Sequence, residues 1–423
     1  MSRSRFTINT TNAFTYIYIT WGLWYVFFNA SLTLRPFYSI LWPGLVILGL
    51  IIRGNRVLSL IKESLSSSCG IYVLFIVVCL FSTMLSTNSE ASLDYIVRFV
   101  LALGFAFVSV SFNRNDIILR IMRLFCLIML GFSFLQYLAP AFYQGSILSL
   151  VSQKDSILVY SALRSNEALG LTNGTSQNGL FMTMGFVLYA SKWIKAKKMR
   201  LLYGGLALVF FGMIFATAKR NYSVCAIIIF ILLLFYSVPK EQRSFRWFRI
   251  LVGILAIFAL FIMASNYIPA LSNVLQKTLN LRDQGDISNG RLQLYAQAWS
   301  AFRDNMWLGV GVDAASDLIG EAVHNSYLQW LLEFGIILIP IPLIAISYVP
   351  IFNRKKIVEL VSEQAGNNYS GNVLTYYLFM MMILISGFLA VPFQWSNVFM
   401  LYMMCQFMTL NEIKQYIGTK YKE

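Results

Sequence analysis

Along the 423 residues, long apolar runs alternate with short polar segments in which most of the lysines and arginines sit. Crossing the hydrocarbon core of a bilayer takes about 20 mostly apolar helical residues, and a helix satisfies its backbone internally while doing so. Twelve runs meet this pattern, near residues 13–30, 36–52, 70–86, 95–112, 117–139, 176–191, 199–218, 222–238, 248–267, 327–350, 373–391 and 395–411. Between 199 and 238 the apolar character is interrupted only at Lys219-Arg220-Asn221. A continuous helix there would be about 60 Å long, twice the core thickness, so the chain must turn near Arg220. The pattern predicts an all-α, polytopic integral membrane protein with about 12 transmembrane helices, forming a single membrane domain over residues 1–423.

Composition narrows the class further. Hydrophobic residues make up 58% and charged residues 12%, whereas soluble domains carry roughly 25% charge. The net charge of +15 is large for so few charges, and alternating the spans from a cytoplasmic N-terminus explains where it lies. The segments predicted inside hold 23 of the 33 cations and seven acids, a net of +16, which leaves −1 for the rest. That asymmetry is the cytoplasmic bias of cations in membrane proteins and predicts both termini in the cytoplasm. It also removes the reason to expect nucleic acid as a partner, since the cations form no single folded patch. The N-terminal polar stretch leads into a long apolar run without a small-residue cleavage site, as expected of a retained first span. Five scattered cysteines without a CxxC spacing suggest buried free thiols, and a single histidine excludes multi-histidine metal sites.

Two outer segments exceed what a hairpin needs: 140–175 and 268–326, the latter a long extracytoplasmic loop expected to carry part of the active site. After Gly290, the residues Leu292, Tyr295, Trp299 and Phe302 recur at three- and four-residue steps and predict an amphipathic helix at the interface. Ten cations remain outside the inner segments, and two are hard to ignore. Arg220, with Lys219 beside it, is confined to a tight turn at the outer boundary, where it either binds an anion or snorkels to water. Arg98 lies four residues after Asp94, a spacing that allows a local ion pair as an alternative to ligand binding. A helix starting near Asn325 would align Asn325, Gln329 and Glu333 in a polar stripe with His324 at its mouth. His324 has a side chain suited to proton abstraction near neutral pH; the alternative is a polar capping turn with a backbone-bonded histidine. A third patch, Arg164 with Asn166, Glu167, Asn173, Gln177 and Asn178, reads as a solvated loop more readily than as a site. No phosphate-binding glycine loop, Asp-x-Asp pair or nucleophile elbow is present.

These motifs carry a resemblance. Gly290-Arg291 with the helix after it, Leu308-Gly309-Val310-Gly311, His324-Asn325-Ser326-Tyr327-Leu328-Gln329 and Glu333-Phe334-Gly335 are similar to the signature region of the bacterial O-antigen ligase and polysaccharide polymerase superfamily. Thr217-Ala218-Lys219-Arg220 resembles the basic turn of such proteins, although Asn221 stands where a small residue is common. The likeness covers residues 160–345, and the first 150 match only as hydrophobic spans. The resemblance implies a metal- and nucleotide-independent glycosyltransferase in the bacterial cytoplasmic membrane, without cofactors. Its donor would be a glycan on undecaprenyl diphosphate, handled at the outer face of the bilayer. It further implies His324 as base or acceptor-orienting group and Arg220 and Arg291, with Lys219, as holders of the diphosphate. Arg98, Arg164, Asn173, Asn325, Gln329 and Glu333 are the accompanying substrate-binding candidates. A chain-length regulator and a flippase of the same pathway are the implied protein partners. The Ala-Lys-Arg turn and the His-Asn-Ser-Tyr-Leu-Gln string are closer to polymerases than to ligases, while a lipid-linked oligosaccharide flippase is the expectation from another class. The absence of a repeat relating the two halves weighs against a transporter.

Overall fold

The computed structural model describes residues 10–28, 35–65, 69–86, 88–151, 156–196, 198–237, 290–363 and 372–420, with isolated positions between 248 and 272. The first group of helices is α1 (Thr10–Phe28), α2 (Arg35–Leu65), α3 (Cys69–Met84), α4 (Ser89–Ser111) and α5 (Asn115–Leu138). After short helical turns over 140–150 come α6 (Ile157–Arg164), α7 (Thr175–Lys195), α8 (Arg200–Ala216) and α9 (Arg220–Ser237). The last group is α10 (Arg291–Asp304), α11 (Ala315–Ile319), α12 (Ser326–Leu338), α13 (Pro340–Ser347), α14 (Arg354–Glu363), α15 (Asn372–Ser386) and α16 (Ser396–Lys420). No strand occurs among the described residues.

Helices stand at the predicted spans apart from the ninth, 248–267, which lies almost wholly outside the described residues, as does 268–289 of the long outer segment. By length and apolarity, three described helices are sufficient to cross a membrane unaided: Leu41–Leu60 within α2, α4 and α5. Of the others, α7 and α16 have the length but not the apolarity, and the remaining apolar helices are shorter, as in Ala13–Phe28 or Asn372–Ser386, or broken. Apolar side chains such as Ile17, Ile51, Val97 and Leu201 remain exposed on the outside of the bundle. This is the expected surface of helices whose solvent is lipid. Inside, α4 packs between α2 and α16, and α7 lies along α8 and against α5 and α9. Phe75, Phe99, Trp330 and Phe399 form a continuous aromatic layer in this core.

Two predicted spans need correction. Residues 327–350 are not one helix: α12 and the helices after it meet at 117°. The bend begins at Gly335, whose φ of 63° and ψ of −179° leave the helical region. There the α12 backbone pairs with residues 306–311: Val310 N–H donates to Leu332 O at 3.0 Å, Gly311 N–H to Glu333 O at 3.1 Å, and Ile336 N–H to Met306 O at 2.9 Å. A Cβ on Gly309 would lie 2.3 Å from Glu333 O and one on Gly335 2.5 Å from Gly309 N, so this backbone contact requires glycine on both sides. Pro340, which lacks an N–H, then opens the next helix. The second correction concerns 373–391: α15 stops at Ser386, and the apolar residues 387–391 turn back as a loop. Their hydropathy reads as membrane span, yet they form one wall of a cavity described below.

Candidate active site

The segment 167–172 shows how the site is supported. The patch of Arg164, Asn166, Glu167, Asn173, Gln177 and Asn178 reads as a solvated loop in the sequence, but Glu167 through Thr172 are buried, as is Asn178. Buried irregular backbone needs partners, and neighbouring helices supply them. Gln136 Nε2 donates to Glu167 O at 2.8 Å, Tyr143 Oη to Gly170 O at 2.6 Å, and Asn178 Nδ2 to Ala168 O at 2.9 Å. Ala168 N–H in turn donates to Ala216 O at 2.8 Å, which fastens the basic turn between α8 and α9. Ala218 in that turn has φ of 54°, the left-handed conformation that reverses the chain within three residues.

Lys219, Asn221 and Tyr222 then project into a cavity of about 900 Å³. Gly290 and Arg291 line its opposite side at the start of α10, where Gly290 caps the helix with φ of 80°. His324, Glu321 and Gly320 complete a third side, and Leu389, Ala390, Val391 and Trp395 a fourth. The N-termini of α9 and α10 therefore border the same space as two cations. Unpaired N–H groups and the positive end of the helix dipole favour an anion at such a position.

His324 is held from both sides. Its φ is 57°, its carbonyl accepts from Tyr295 Oη at 3.5 Å, and Nε2 lies 3.8 Å from Glu321 Oε1. Burial pushes its imidazole below the ordinary histidine value, and the positive charges of Arg291 and Lys219 act in the same direction, while Glu321 opposes them. Neutral imidazole can accept a proton. Asn325 caps α12, its Oδ1 accepting from Tyr327 N–H at 3.0 Å and Leu328 N–H at 3.1 Å. Ser326 N–H reaches Gly387 O at 2.8 Å and Ala390 O at 3.0 Å, which ties this motif to the loop after α15.

The remaining candidates are placed elsewhere. Arg220 sits between two lining residues and is half-buried, but does not itself line the cavity. Successive helical residues point about 100° apart, so Lys219, Arg220 and Asn221 cannot all face one way. Gln329 and Glu333 are each 1% exposed and bond to one another at 2.9 Å, so the polar stripe exists but points into packing. Arg98 pairs with Asp94 at 2.6 Å and approaches Asp313 at 3.9 Å, joining α4 to the loop before α11. Arg164 is exposed at the end of α6, and Asn173 is half-buried outside the lining. The predicted helix after Gly290 is present, but Leu292 and Trp299 face outward and only Ala298 and Phe302 are buried on it. Sequence reasoning passed over Glu321, Gln293, Gln297 and Trp395, all of which line the cavity. Glu321, three residues before the single histidine, was the one with a readable signal.

Neither a search of curated protein sequences nor one of solved structures finds a match to the chain. Residues 205–343, about a third of the chain and the stretch that holds Lys219, Arg220, Arg291 and His324, match the O-antigen ligase family, which supports the likeness to O-antigen ligases and polymerases that the motifs carry.

Proposed function

We propose that the protein is a glycosyltransferase of the bacterial cytoplasmic membrane that moves a glycan from undecaprenyl diphosphate to a sugar hydroxyl on the outer face, extending an O-antigen or exopolysaccharide chain. The observation that carries this reading is the convergence of Lys219, Arg291 and two helix N-termini on one cavity with a neutral-leaning His324. In such a reaction the acceptor oxygen bonds to the anomeric carbon as the bond from that carbon to the diphosphate oxygen breaks. The electron pair leaves with the diphosphate, so stabilisation of negative charge matters more than protonation of the leaving group. Arg291 and Lys219 supply charge-assisted hydrogen bonds for this purpose. The hydroxyl proton passes to His324, a contribution of about 10²–10⁴-fold, and positioning of the two sugars adds to it.

Reconstitution with a lipid-linked repeat unit tests the reading. Longer glycan with release of undecaprenyl diphosphate is the expected result, and His324→Ala should abolish it while leaving membrane insertion intact. Transfer only to a lipid A-core acceptor would make the protein a ligase, and relocation of intact substrate across the bilayer would make it a flippase. Near wild-type transfer by His324→Ala would remove the histidine from the chemistry.

A further inference from the structure

A second cavity, of about 300 Å³, opens where α5 begins, α7 ends and α15 begins, and Arg120, Arg123, Lys192, Ser191 and Asn372 are among its lining residues. That volume is at the small end of ligand pockets, about 300–1,000 Å³. The charge reading of the sequence assigns all three of these helix ends to the cytoplasmic side, opposite the site already described. Cations in general orient a membrane protein from its loops and need no cavity to do so. Arg123 does not fit that role, because it lies two turns into α5 and is half-buried.

The charges in this cavity are unequally satisfied. Arg120 faces Asp116 at 3.3 Å. Lys192 Nζ rests 4.5 Å over the ring of Tyr203, a contact that leaves its hydrogens available. Arg123 has no carboxylate partner among the described residues; the charged and polar groups acting on it are Arg120 and the hydroxyls of Tyr189, Tyr203 and Tyr376. A partly desolvated guanidinium beside two further cations needs an anion to offset the cost. After Asp116 is matched with Arg120, Arg123 and Lys192 leave two positive charges for one ligand. The guanidinium fork fits phosphate oxygens, and Leu124, next in the chain, is 54% exposed and apolar.

We infer that this inner cavity is a phosphate-binding site, separate from the glycan-transfer site and filled by the phosphate of an anionic phospholipid headgroup of the cytoplasmic leaflet or by free phosphate. The experiment uses the full-length protein in nanodiscs of phosphatidylcholine alone or with phosphatidylglycerol, followed by native mass spectrometry of retained lipid. A parallel arm in pure phosphatidylcholine measures binding of inorganic phosphate. Retention of phosphatidylglycerol should fall about fivefold for Arg123→Gln and again for Lys192→Gln, at roughly the weight of one cation near a membrane surface. Arg123→Lys keeps the charge and should recover part of the retention, which separates loss of the site from loss of the fold. Phosphate binding without preferential lipid retention, lost in the same variants, identifies free phosphate as the occupant. Equal lipid retention and equal phosphate binding in wild type and both glutamine variants overturns the inference.

Discussion

Replacing Gly309 with alanine tests whether the glycines of the signature motif serve the backbone contact that bends α12. The added Cβ would lie 2.3 Å from Glu333 O, 2.4 Å from its carbonyl carbon and 2.7 Å from Gly335 N. Carbon contacts are comfortable at about 3.5–4.0 Å, so one strand of backbone must withdraw by roughly 1 Å. That movement stretches the bonds from Val310 N–H to Leu332 O and Gly311 N–H to Glu333 O beyond hydrogen-bonding distance. Two lost bonds cost about 1 kcal/mol each, and alanine at a φ of 76° adds about 1–2 kcal/mol. The total is about 3–4 kcal/mol, equivalent to roughly 6–8 °C in unfolding midpoint at about 2 °C per kcal/mol. Thermal unfolding of purified protein in detergent reads this directly. Gly212→Ala is the control, because a Cβ there meets nothing within 4 Å and alanine is favoured in a helix. A Gly309→Ala midpoint equal to that of wild type or Gly212→Ala would refute the backbone-contact explanation. Since His324 lies immediately before the Asn325 cap of α12, glycan transfer should fall together with the midpoint.

Three further outcomes are expected. Because the neutral imidazole is the accepting form, transfer should rise as pH climbs through the His324 value and then level; Glu321→Gln removes an upward influence and should move the rise to lower pH, whereas Arg291→Gln should move it to higher pH, as read from a pH–rate profile. Unmoved profiles in both variants would separate His324 from the proton transfer. Arg291→Lys should weaken capture of a diphosphate lipid by about tenfold through loss of one charge-assisted hydrogen bond, and unchanged affinity in a binding assay would show that charge alone suffices. Asn325→Ala removes the acceptor for Tyr327 N–H and Leu328 N–H and should cost about 1 kcal/mol of stability. It should reduce transfer less than His324→Ala does, and an equal loss would mean that Asn325 touches substrate.

Hydropathy alone located the long apolar helices, because a segment surrounded by lipid and protein must be apolar for about 20 residues and such a run is visible in one dimension, but not the short α6, α11 and α14. The turn at Lys219-Arg220 was legible for the same reason, since no single helix of that length fits the bilayer. His324 stood out as the single histidine and Arg291 only through the family resemblance of its motif, and both line one cavity with Lys219. Direction and partnership were not legible. Gln329 and Glu333 have the spacing of a cavity-facing stripe but satisfy each other inside the core, and of the two partners of Arg98 the spacing showed Asp94 but not Asp313. Leu389, Ala390 and Val391 share the hydropathy of a span while forming a wall of the site. Period and polarity report only that a side chain has a preferred environment, and burial against protein, lipid or a ligand cavity satisfies an apolar residue equally well. Which of these it receives depends on helices distant in sequence, and here the choice follows from the bend at Gly335 and the return of residues 387–395 against the start of α12.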